Sequence, residues 1–396
     1  MSTVISNAKT ITLTPGSNID NIMSNYPAAR IFKFPPGNYY MTRTLLINRN
    51  NVKFSGTTPQ MNDTHIFQTN VTADGISLLS CKNIVMENLS IHVEHDNCVA
   101  LVAASVNTST IQNCYFYGNK NTFTIYFAGP THLTAGSATL SAYGSQAIDN
   151  GNIFRKNVIY SNWSGDCVSF SLQKNGIMTG NVVRGGKIAI YMCRDCTFTS
   201  NNIYDSVDIG MFVSLPSHNI SLRGNVIYEC TYTGIKIANQ TEHGSFTTTP
   251  YNMNISENKI VDPQTSDIEI NDGMGIILEN NSLISASVYG IYALRSSNLT
   301  IRNNRIAYFN VSVWFESVIN SLIKGNLIMS VFPNEGSNAV KMSKDSTGNV
   351  VQDNTVKGRI KYDIYAIPTE SGAVLSGNVH DLYYEKDDEL SIIKFK

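Results

Sequence analysis

Along this chain apolar and polar residues alternate over short runs, stop at a polar turn, and resume in the same order. Residues 290–306, GIYALRSSNLTIRNNRI, show the unit in full: a small residue, an apolar–x–apolar strand, a polar turn, a second short strand, then Asn–x–apolar. GIKIAN (234–239) and NMNISENKI (252–260) carry the same parts. Alternation with a period of two gives each strand one apolar face. The Asn recurs as Asn88, Asn113, Asn157, Asn181, Asn202 and Asn225, and continues as Asn258, Asn281, Asn304, Asn326, Asn354 and Asn378. The spacing is mostly about 23 residues. Three positions ahead of it stand apolar residues such as Met178, Leu222, Ile255, Leu278 and Ile301.

Short strands at this period, with no helical pattern, predict an all-β parallel solenoid whose coils stack about 4.8 Å apart. In that geometry the repeated Asn is expected to take the left-handed turn between two strands, and its amide to bond identical neighbours above and below. A leucine-rich repeat has a similar period, but its Leu-x-x-Leu-x-Leu consensus is absent. A solenoid needs its ends covered. NIDNIMSNYPAA (18–29) reads as a short capping helix through Ile19, Ile22, Met23 and Tyr26, and HDLYYEKDDELSIIKFK (380–396) as the other cap. The expected division is an N-terminal cap and lead-in over 1–40, the β-helix over 41–380 and a C-terminal cap over 381–396, with no linker between domains.

These coils resemble right-handed parallel β-helix proteins of the pectate-lyase-like superfamily, particularly the G-I-x-I … N-x-I repeats of carbohydrate-binding and sugar-hydrolase modules. The segment ARIFKFPPGNYYMTRTLLINRNNVKFSG (29–56) is similar to the first coil of many pectin-active enzymes and phage tailspikes. The resemblance runs over residues 29–380 and implies a right-handed helix of about a dozen coils with a polysaccharide partner. It leaves open whether the chain is a lyase, a glycoside hydrolase, an epimerase or a non-catalytic spike. A homotrimer is compatible with it. GDCVSF (165–170) resembles the Gly-Asp-Asp-Cys stretch of polygalacturonases, and RIK (359–361) another of their motifs. The second Asp is missing and no His-Gly lies between them, so that mechanism does not transfer and Asp166 stands as a secondary candidate. The epimerase-type Asp-Pro-His motif is absent.

Two coils are long after the first strand, through THLTAGSATLSAYGSQAIDN (131–150) and TEHGSFTTTPY (241–251). Insertions at one corner are expected to rise beside the outer face of the first-strand sheet and make a cleft. Read coil by coil, the outward residues there are Ser77, Ala100, Tyr126, Ser169, Tyr191 and Phe212, then Lys236, Glu269, Tyr292, Trp314, Lys341 and Tyr365. The aromatic members suit the C–H faces of sugar rings, and equally the support of a sheet. Tyr126, Tyr191, Phe212, Tyr292 and Trp314 are therefore the expected substrate contacts, with Asn271, Arg194 and, from the second insertion, His243.

SDIEIND (266–272) places Asp267, Glu269 and Asn271 on one face by alternation, with Lys236 one coil below Glu269. As a structural feature this is a surface ion pair worth up to about 1 kcal/mol. As a site it offers carboxylates at i and i+2, about 6–7 Å apart, near the separations that glycosidases use. Lys236 would hold Glu269 ionised, leaving Asp267 as acid and Glu269 as base or nucleophile. A lyase or epimerase would instead use Lys236 as base or charge neutraliser, with the carboxylates holding a cation such as Ca2+. No other cofactor is expected.

Composition narrows the partners. Charged residues make up 15% of the 396 residues, the net charge is −1 and the pI is near 6.6. No field is available to bind nucleic acid or an anionic membrane. MSTVISNAKT has no signal-peptide pattern and no 18-residue apolar run occurs, so the chain is expected to be cytoplasmic or virion-associated without a membrane span. Seven cysteines, an odd count, favour free thiols. CRDC (193–196) is then expected to be buried thiols rather than a zinc pair, and His92 and His95 of HVEHD to be surface residues on opposite faces.

Overall fold

A computed structural model describes residues 9–118, 122–130, 148–161, 165–214, 216–239, 249–285, 288–307, 309–330, 338–343, 345–358, 362–365 and 373–381. Among them, the chain winds through three long parallel sheets of 13, 15 and 14 strands, with a two-stranded patch at Asp149–Asn150 and Gln173–Lys174. One coil illustrates the path. Tyr289–Leu294 lies in the 13-stranded sheet, Thr300–Arg302 in the 15-stranded sheet and Arg305–Ala307 in the 14-stranded sheet, after which Val311–Glu316 begins the next coil. Every strand pair is in parallel register, so the same position of successive coils stacks: Ile235 on Ile268, then Ile291, Val313 and Val340. These columns of Ile, Val, Leu and Phe fill the interior and carry the apolar burial that holds the coils together.

The asparagines do two different jobs at two adjacent positions. Asn281 is buried; its Nδ2 donates to Asn304 Oδ1 at 2.9 Å and to Ile255 O at 2.8 Å. Its Oδ1 accepts from the Asn258 backbone N–H and side-chain amide, both at 3.0 Å. The same bonds run upward through Asn326, Asn354 and Asn378 and downward through Asn225, Asn201, Asn181 and Asn157. The left-handed turn belongs to the residue just before, for example Asn280 (φ 55°), Asn303 (φ 56°), Glu257 (φ 57°) and Gly224 (φ 62°). A residue there points to solvent and needs only to tolerate positive φ, so Asn, Gly, Glu and Lys all serve.

Three expected members therefore shift by one place. The buried amide of its coil is Asn201, not Asn202, whose side chain sits on the strand. Asn88 (φ 57°) and Asn113 (φ 50°) are turn residues, and Leu89 and Cys114 fill the inward position behind them. Asn113 donates to Asn88 Oδ1 at 2.7 Å on the outside of that corner.

The first sheet strand, Lys9–Thr12, pairs with Ala29–Phe34, so the lead-in is already woven into the 15-stranded sheet. The capping helix is one turn, Ile22–Asn25, with Ile19 and Ile22 buried against the first coil and Tyr26 exposed. The C-terminal segment 382–396 lies outside the described residues. All seven cysteines are buried and unpaired. His92 is half-buried in a stack with Phe67 and Tyr117 on the outer face of the 14-stranded sheet, and His95 Nε2 meets Gln68 O at 3.2 Å. No helix among the described residues is long and apolar enough to cross a membrane.

Candidate functional site

The outer face of the 13-stranded sheet carries one row that runs Ser77, Val102, Tyr126, Ser169, Ala189, Phe212, Lys236, Glu269, Tyr292, Trp314 and Lys341. Beside it an open groove of about 410 Å³ is lined by Asp208, Tyr232, Thr233, Lys236, Thr265, Glu269, Tyr289 and Tyr292, among others. Lys236 Nζ meets Glu269 Oε1 at 2.9 Å, as the shared register dictates. Asn271 Nδ2 donates to Glu269 Oε1 at 2.7 Å, and Thr233 Oγ1 donates to its Oε2 at 3.3 Å. Glu269 is thus a fully engaged, half-buried carboxylate in the groove floor. Above it Tyr289, Tyr292 and Trp314 pack with ring centroids 4.9–5.4 Å apart, and Tyr292 donates to Glu316 Oε2 at 2.7 Å.

A second ionic cluster sits at the lower end of the groove. The strand Asp166–Ser171 has a register shift between Asp166 and Val168 against Lys187–Tyr191, so one extra residue is accommodated there. Cys167 turns into the core, and Asp166 faces Lys187 instead of following it inward. Local bulges re-aim side chains in this way. Lys187 Nζ lies 3.5 Å from Asp166 Oδ1 and 2.5 Å from Asp208 Oδ2, and Tyr191 OH donates to Asp166 Oδ1 at 3.3 Å. Burial pushes the Asp166 carboxyl above its ordinary range, although Lys187 and Tyr191 pull the other way. Tyr191 is itself raised, first by burial and then by the Asp166 charge. One ammonium therefore bridges two carboxyl groups: Asp166, buried and raised by desolvation, and Asp208, which lines the groove.

The model of a family described as the right handed beta helix region matches residues 125–250 and 243–380. The chain belongs to this right-handed β-helix family. No curated protein matches it. Among solved structures, the A-module of an Azotobacter vinelandii mannuronan C-5 epimerase is similar at 13% identity, with a TM-score of 0.60 over 91% of this chain and 93% of that one. The catalytic unit of a thermostable alpha-1,3-glucanase from Streptomyces thermodiastaticus strain HF3-3 is similar at 12% identity, with a TM-score of 0.56 over 94% and 69% of the chains. The Dettilon tailspike protein is similar at 13% identity, with a TM-score of 0.55 over 93% and 66%. At such identities the likeness is one of fold.

Within this β-helix protein, the largest departure from the expected site is Asp267. Its backbone aligns with Gly234 and Gly290, in a column where the chain bends into the corner beside the 14-stranded sheet. A Cβ added at Gly234 would lie 2.5 Å from Ile260 Cγ2, and one at Gly290 would lie 2.6 Å from Ile306 Cγ2, so side chains in this column point inward. Asp267 is accordingly fully buried, apart from Glu269 and Asn271, and neither carboxyl oxygen has a hydrogen-bond partner. Burial pushes it well above the carboxylate range and the Asp262 charge adds to this; the nearby Ile284 amide opposes both. It is buried away from the groove, whose lining does not include it.

Other expected contacts move as well. Ala100 is buried in the same inward column, and Val102 takes its place in the outer row. Tyr191 pairs with Ser171 and Ser214, one row over from Ala189, which is the true neighbour of Phe212. Phe212 is only 7% exposed, packed edge-on against Tyr191 at 5.9 Å, and offers no open face. Tyr126 stacks on Phe123 at 4.6 Å. Arg194 lies at the corner, bridged to Lys174 and His218, with a buried Nε that finds no partner; it does not line the groove. His243 and the side chain of Tyr365 lie outside the described residues. Sequence reading missed Lys187, Asp208, Tyr232 and Tyr289. The last three stand just ahead of the small residues Gly210, Gly234 and Gly290, a recurrence visible in the sequence. Among the described residues, no three His, Cys, Asp or Glu side chains gather as a metal site.

Proposed function

We propose that this chain binds a polysaccharide along the groove of the 13-stranded sheet and cleaves it by acid–base chemistry centred on Asp166 and Asp208. The observation that carries the reading is the Lys187 bridge: one ammonium joins Asp166, whose carboxyl burial pushes above its ordinary range, to the less buried carboxyl of Asp208. Asp166 supplies a proton to the glycosidic oxygen as the C–O bond breaks. Asp208 takes the opposing role at the anomeric carbon, as nucleophile or as base for the incoming water. Glu269, pinned by Lys236, Asn271 and Thr233, accepts from sugar hydroxyls, and Tyr232, Tyr289 and Tyr292 cover the ring faces. That an epimerase and a glucanase share the fold supports the choice of polysaccharide as the ligand class.

The test is turnover on a polysaccharide panel, followed both as reducing ends and as absorbance near 235 nm. Reducing ends without the ultraviolet signal are expected. Asp166→Asn should lower the rate by at least about a hundredfold with the circular dichroism spectrum unchanged. If Asp166→Asn turns over as fast as the parent, the reading is wrong. Binding by the parent without any turnover would make the groove a recognition surface of a spike instead.

A further inference from the structure

Among the described residues, the cation that lines the groove, Lys236, and those near it on the same side of the helix are engaged before any ligand arrives. Lys187 is held between Asp166 and Asp208, and Lys236 lies 2.9 Å from Glu269, with side-chain exposures of 13% and 28%. Further along, Lys341 Nζ sits 4.3 Å over the Trp314 ring. The nearby corner arginine, Arg295, is forked onto Asp272 at 2.8 and 3.0 Å. A ligand carboxylate or sulfate entering here would meet Asp208 and Glu269 across a partly desolvated floor, or would have to break an existing ion pair. Hydroxyl groups meet no such penalty, because Glu269, Thr233, Thr265 and Asp208 present acceptors and hydroxyls to them.

We infer that the sugar units bound in this groove are uncharged, and that the Lys236–Glu269 pair is the element that excludes uronate and sulfated units. The inference rests on the groove being a polysaccharide site. It gives the ion pair a role in specificity: Lys236 and Glu269 cancel one another, so neither attracts an anion.

The experiment uses the full chain against polymers paired by charge: polygalacturonate with its methyl ester, mannuronan with its carboxyl-reduced form, and glucuronoxylan with unsubstituted xylan, measured by affinity electrophoresis and calorimetry. The tightest ligand should be a neutral member, its affinity changing less than about twofold between 50 and 300 mM NaCl because no charge pair forms on binding. Tyr232→Ala should weaken it by about fivefold or more through the lost ring contact. Glu269→Gln, which releases Lys236, should strengthen binding of the anionic member of a pair by about fivefold. If the parent prefers an anionic member and that binding is lost in Tyr232→Ala, the groove reading stands and the neutral-sugar inference fails. Failure of Glu269→Gln to gain any anionic binding also overturns it. If no polymer binds, or binding ignores Tyr232→Ala, the groove reading falls and this inference with it.

Discussion

Asp267 allows the sharpest test of how this solenoid treats a charge in its wall. Its carboxyl is fully buried in a column otherwise occupied by small residues such as Gly234 and Gly290, and neither oxygen has a partner. The anion is therefore strongly disfavoured in the folded chain, and the folded pKa lies well above the unfolded value. As pH rises past about 4, the unfolded chain gives up this proton while the folded chain keeps it. Stability then falls by about 1.4 kcal/mol for each pH unit until the folded pKa is reached. Asp267→Asn keeps the shape and cannot ionise. At pH 4 the two proteins should unfold within about 1 kcal/mol of each other, since both bury a neutral, unpaired polar group. Above that, the variant should gain by the per-unit increment just given. Urea unfolding of parent and variant at pH 4 to 8, followed by tryptophan fluorescence and circular dichroism, measures the difference directly. Taking the difference cancels the titration of every other group. A gap that stays flat from pH 4 to 8 would show that Asp267 is ionised in the folded chain, and the inward column would be misread.

The buried amide column gives a second contrast. Asn281→Leu strips partners from Asn304 Oδ1, Ile255 O and both Asn258 donors, and should cost at least about 3 kcal/mol in urea unfolding. Asn280→Leu, one residue earlier and exposed, changes only the preference for the left-handed turn and should cost about 1 kcal/mol. Asp149 is buried beneath Val106, whose N–H donates to Oδ2 at 3.0 Å, and burial pushes its pKa up to about 7. Because that value is raised, its effect on stability turns unfavourable as pH climbs from about 4 to 7, and Asp149→Asn should flatten the parent's decline across that window in thermal melts.

The sequence alone determined the solenoid, because stacking repeats the same environment every coil. A period of two along each strand and about 23 between coils is then written directly into where Ile, Leu, Val and Asn fall. The pairing of Lys236 with Glu269 followed from the same arithmetic, since parallel register puts equal positions of adjacent coils side by side. Period two fails at the corners, where the backbone bends and an added or inward-turned residue changes which way a side chain points. That bend sent Asp267 into the core, and the extra residue after Asp166 turned it toward Lys187. The meeting of Asp166, Lys187 and Asp208 needed the stack itself, because each comes from a different coil and none shares a motif with the others. Burial, too, is a tertiary quantity: Phe212 and Lys236 are neighbours in one outward row, and the packing of Tyr191, Ile209 and Ala238 covers the ring while the ammonium reaches the groove.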